Sequence, residues 1–143
     1  MKGSSIDMKE RLTDDQLVRC VEDYFWELGR SHPIITPRNY GDSSTALYAQ
    51  GQREGEWCWI NVIEWPPGQR MVNDCPYACS IESRGDALFS AIVVSAIALV
   101  TGGKIYDDAG YLCSGHEFSP DEFKEKLLAE VGSEIFLNRS DQS

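Results

Sequence analysis

Hydrophobic spacing changes period several times along the chain. From 14 to 28 it is helical: Leu17, Val18, Val21, Tyr24, Phe25 and Leu28 fall on one stripe, with Trp26 off it among charged residues. Thr13 and Gln16 have the spacing of a capping box, Asp14 and Asp15 suit a first turn, and Gly29 is a natural stop. The pattern predicts a helix over 13–29, with a short edge strand before it at 5–9. "SHPIITPRNYGDSS", punctuated by Pro33, Pro37 and Gly41, is expected to be a loop. Three strands are expected next, at 45–50, 56–64 and 77–82. "GQREG" forms the hairpin turn between the first two, and the longer "PPGQRMVNDCP" leads into the third.

The middle strand is unusual. In "GEWCWINVIEWPPG" alternate positions from Trp57 carry Trp, Trp, Asn, Ile and Trp, and those between carry Cys, Ile, Val and Glu. A strand alternates its faces, so both faces of this one are largely apolar and both need cover. A helix from Asp86, its expected N-cap, to the stop at Gly102-Gly103 is apolar almost all round, hence buried on most sides. Its small side chains Ala87, Ser90, Ala91, Val94 and Ala98 allow close approach to a sheet, which covers one side of the tryptophan strand. The first helix is expected to shield much of the other. "KIYDDAGYLCSG" reads as a strand or hairpin turning near 108–110. "SPDEFKEKLLAEV" reads as a third helix, capped by Ser119 with Glu122 and striped by Phe123, Leu127, Leu128 and Val131.

These elements imply an α+β fold, a mostly antiparallel sheet with helices packed on it and one helix deeply buried. The 143 residues make one domain, 1–143, whose polar tail at 138–143 is expected to fray. Thirteen basic against twenty-three acidic side chains give a net charge of −10. That argues against nucleic acid or an anionic membrane as partner, and suits a protein whose acidity keeps it soluble or one that meets a basic partner. The start "MKGSSIDMKERL" lacks the apolar centre of a signal peptide, and the apolar run 87–100 is short of the roughly 20 residues that span a bilayer. A cytoplasmic location follows as the expectation, with the five cysteines as free thiols.

Catalytic motifs are sparse. The chain has two histidines, no Gly-x-Ser-x-Gly elbow, no His-Glu-x-x-His and no phosphate-binding or dinucleotide glycine pattern. The sharpest chemical alternative is a small zinc- or thiol-dependent enzyme. Cys75, Cys79, Cys113 and His116, with Cys58 in reserve, are the right ligand types for tetrahedral zinc. Against it, strand positions four apart lie roughly 13 Å from each other, so only a tight turn at Pro76 would join Cys75 to Cys79. Cys113 with His116 and Glu117 also has the makings of a nucleophile, base and orienting group, and Asp107 with Asp108 those of an acid–base pair.

The segment "SIESRGDALFSAIVVSAIALVTGGKIYDDAGYL", residues 80–112, joins a strand to an apolar helix closed by Thr-Gly-Gly and then Lys-Ile-Tyr-Asp-Asp. It resembles a stretch common in small bacterial α/β immunity proteins, which accompany the polymorphic toxins of contact-dependent inhibition, type VI secretion and Rhs systems. The resemblance covers about a quarter of the chain. It implies a small, non-catalytic, cofactor-free cytoplasmic protein that occludes a cognate toxin domain, commonly a basic nuclease. Two surfaces compete for that partner. One is the acidic concentration of Asp107, Asp108, Glu117, Asp121 and Glu122, expected to be solvated. The other is the aromatic end at Trp65, beside the double proline.

Overall fold

A computed structural model describes residues 3–41, 44–66, 75–113 and 116–141, with side chains as far as Gly132. Along the chain come β1 (Gly3–Met8), α1 (Asp14–Glu27), β2 (Ile34–Asn39), β3 (Thr45–Gln50), β4 (Trp57–Glu64) and β5 (Tyr77–Glu82). α2 (Ala87–Thr101), β6 (Ile105–Tyr106), β7 (Glu117–Phe118) and α3 (Pro120–Asp141) follow. The strands form one sheet in the order β2-β3-β4-β5-β1-β6-β7, with every neighbouring pair antiparallel. The fold is α+β, as the spacing implies.

The three helices begin where their side chains close orphan backbone groups. Thr13 Oγ1 accepts from Gln16 N while Gln16 Oε1 accepts from Thr13 N, a reciprocal capping box. Asp86 accepts from Leu88 N at α2, and Ser119 with Glu122 repeats the box at α3. α2 ends at Gly102 in the left-handed region, φ 70°. The next residue, Gly103, lies so close to β1 that a Cβ there would sit 1.7 Å from the Asp7 carbonyl oxygen. Only glycine lets the chain leave α2 along this path, beside the Asp7 N–H to Lys104 O hydrogen bond of 3.0 Å.

All three helices pack on one side of the sheet. Ile6, Met8, Leu47, Ala49, Cys58, Ile60, Cys79, Ile81 and Ile105 point into a single core with α2 at its centre. α1 joins through Leu17, Val21, Tyr24 and Phe25, whose ring lies 5.5 Å from that of Phe89, and α3 through Phe123, Leu127 and Val131. Ser95 of α2 donates to the Tyr24 hydroxyl at 3.1 Å inside this core.

Three expectations need correction. β1 is not an edge strand; it pairs with β5 on one side and β6 on the other. The expected loop from 31 to 44 contains β2, one of the two edge strands of the sheet. α1 does not shield the second face of β4, because its apolar stripe is spent on α2 and the helix side of the sheet.

Candidate partner-binding surfaces

The expected acidic surface is only partly a surface. Asp107 is fully buried. Its Oδ1 accepts from Ser4 Oγ at 2.7 Å and Tyr111 N at 3.0 Å, and its Oδ2 from Leu112 N and Cys113 N, both at 2.8 Å. A carboxylate saturated by four donors in the interior ties the chain after β6 to β1; it cannot meet a partner. Asp108, Glu117, Asp121 and Glu122 are exposed along the β6–β7 hairpin and the first turn of α3. Glu117 is engaged by Lys104 at 2.5 Å, and the cap hydrogen bonds with Ser119 hold Glu122 below the usual carboxylate range. Trp65 is half-buried, and its backbone N–H donates to Pro76 O at 2.8 Å, closing the β4–β5 connection; residues 67–74 lie outside the described residues.

The thiols are dispersed. Cys79 and Cys58 point into the core, where burial pushes the Cys79 thiol up to about 12 and Cys58 in the same direction. Cys75 is buried beside Asp7 and Lys104, Cys113 is half-buried, and His116 is exposed against Phe118. Among the described residues no three His, Cys, Asp or Glu side chains are grouped to hold a metal ion. No described helix is long and apolar enough to cross a membrane.

The opposite half of the sheet is different. With α1, α2 and α3 all on one side, no described helix covers the other. Register places Trp57 and Trp59 on this open face, with Gln50 and Tyr48 facing them from β3 and Ile34 and Thr36 beyond on β2. The aromatics cover themselves. Tyr48 meets Trp59 edge-on at 4.9 Å and lies nearly parallel to Trp57 at 6.2 Å, and Tyr40 reaches over to Trp59 at 5.2 Å. Tyr40 also donates to Glu82, the register partner of Trp59 on β5, and the Arg38 guanidinium rests 4.2 Å from the Tyr48 ring centre.

This layer continues round the edge of the sheet. Ile34 is 71% exposed, and Trp26 at the end of α1 is 82% exposed, the largest exposure of any large hydrophobic side chain described. Both line a groove of about 630 Å³ with Arg30, His32 and Gln52. An indole left this open is a candidate anchor, since contiguous exposed apolar surface marks interaction sites.

Strand addition is not the mode this edge favours. Tyr40 N donates to Ser44 O at 2.8 Å, so by alternation Arg38, Thr36 and Ile34 form the hydrogen-bonded pairs with β3. Ile35, Pro37 and Asn39 turn their backbone groups outward, and Pro37 has no N–H to offer there. A partner is left to dock through side chains.

Comparison with protein-family models, curated proteins and solved structures finds no match to this chain. The aromatic surface had partial signals in the sequence: the two-faced apolar pattern of β4 and a tryptophan off the helical stripe of α1. Tyr40, Tyr48 and Arg38 carried none, because they join it only through sheet pairing.

Proposed function

We infer that this chain is a non-catalytic binding protein of the immunity type, which neutralises a basic toxin domain by occlusion in the cytoplasm of the producing cell. The observation that carries this reading is the aromatic surface running from Trp26 and Ile34 across the open face to Tyr48, Trp57 and Trp59. Large, rigid, amphipathic side chains lose little entropy on binding and supply the contacts that slow dissociation. The net charge of −10 supports a basic partner, and the exposed acids of the β6–β7 corner supply long-range attraction from the opposite edge of the sheet. Anchor and attraction therefore sit on different surfaces.

Co-expression with a toxin domain encoded beside this gene tests the reading. Protection of the cells and a stable complex of the purified pair are expected. A pair that fails to associate at micromolar concentration would sink it.

A further inference from the structure

A basic partner can present lysine or arginine, and the open face does not treat the two alike. It already holds one guanidinium: Arg38 lies over the Tyr48 ring at 4.2 Å, well inside the range of a cation–π contact. The same ring lies nearly parallel to Trp57, at 17°, and edge-on to Trp59, so half-exposed indoles continue the surface that receives Arg38. A carboxylate stands at its border. Glu82 pairs in register with Trp59, and its oxygens accept from Tyr40 and, at 3.3 Å, from Ser80 Oγ. Two carboxylate oxygens offer about four acceptor positions, so two neutral donors leave room for a cation.

An indole plane beside a carboxylate matches a planar group that stacks and donates in the same plane. Guanidinium does both; an ammonium is a compact, strongly hydrated point charge that does neither as well. The chain's excess of acid gives such a cation a favourable field.

We propose that the open face of β3, β4 and β5 is a receptor for arginine side chains of the basic partner. Trp57 and Trp59 are its stacking planes, beside a Tyr48 ring that Arg38 already covers, and Glu82 is its counter-charge. The assignment rests on the reading above in taking the partner to be basic, and it adds which basic residue is selected and where.

The test uses the full chain with a short peptide of alternating arginine and glycine and its lysine counterpart, followed by tryptophan fluorescence and calorimetry. The arginine peptide is expected to bind more tightly, by about two- to fivefold for each stacked side chain. Glu82→Gln and Trp57→Leu, each checked for an unchanged melting transition, should narrow the gap, whereas Asp108→Asn should leave it intact. Glu82→Gln is nearly isosteric, so it decides the matter if Trp57→Leu does not fold. Equal affinity for the two peptides overturns the proposal, as does a preference that survives Glu82→Gln. A dimer in sedimentation that the arginine peptide does not dissociate also overturns it, because the face is then taken by a second copy. The two failures separate: equal peptide affinities sink the arginine assignment alone, while a toxin pair that does not associate sinks the immunity reading.

Discussion

Three of the four donors to Asp107 are consecutive backbone N–H groups, of Tyr111, Leu112 and Cys113, that have turned toward one carboxylate. Asp107→Asn keeps the shape but points an amide N–H₂ at some of those donors. It should cost about 1–3 kcal/mol by denaturant midpoint, the penalty of leaving buried donors unpaired. Asp108→Asn next to it is exposed and should stay within about 0.5 kcal/mol. Charge reversal of Asp107 would thus report on folding, not on an interface. Asp7 offers a second residue-scale test. It is 7% exposed, and burial raises its carboxyl above the ordinary 3.8 against the opposing Tyr106 hydrogen bond and the charge of Lys104. The folded state therefore holds this proton more tightly than the unfolded one, so stability falls as pH rises from 3.8 through the raised value. Asp7→Asn removes that loss. Urea midpoints should show the variant gaining on the parent protein as pH rises through this window, and a constant difference at all pH values would contradict the assignment.

At the scale of elements, α2 is held by the smallness of its side chains. Ala91 is fully buried in the core, so Ala91→Leu should overpack it and cost about 1–3 kcal/mol in chemical unfolding. An unchanged midpoint would mean the helix has slack. α2 was legible in the sequence because its signals are local: an N-cap aspartate, an unbroken apolar run and a pair of glycines. The same holds for the capping boxes of α1 and α3 and for the strands β3, β4 and β5. β2 was not legible, since Pro37 and Gly41 argue for a loop; a proline whose missing donor faces outward costs an edge strand nothing, and only the pairing shows which way it faces. Nor was the burial of Asp107, whose partner Ser4 lies 103 residues away. The acidic half of the expected interface was thus misread at its first residue. The tryptophans of β4 carried a partial signal of the open aromatic face, whereas Trp65, singled out beside the double proline, is half-buried.

For the whole molecule, the proposed function implies that the separation of the exposed acids from the aromatic face makes association and dissociation of a basic partner separable. Replacing Asp108 and Asp121 with lysine should slow binding of a basic toxin domain and flatten its salt dependence, with little change in lifetime. Trp26→Ala should shorten the lifetime and leave the association rate nearly unaltered. Surface plasmon resonance at several salt concentrations distinguishes the two, and a Trp26→Ala variant with an unaltered lifetime would remove that residue from the anchor.

The position of β1 between β5 and β6 has a consequence for the order of assembly. β1 waits for residues 77–82 before it can close on β5, and for residues 105–106 before β6 can join its other side. Until then the meander β2–β5 and the hairpin β6–β7 have no shared backbone ladder. The nascent chain should stay protease-sensitive until β6 and the part of α3 that completes the core have emerged, and then become resistant in a single step. Removing residues 1–8 should prevent that step altogether, because it takes the middle out of the sheet and not a fringe from its edge.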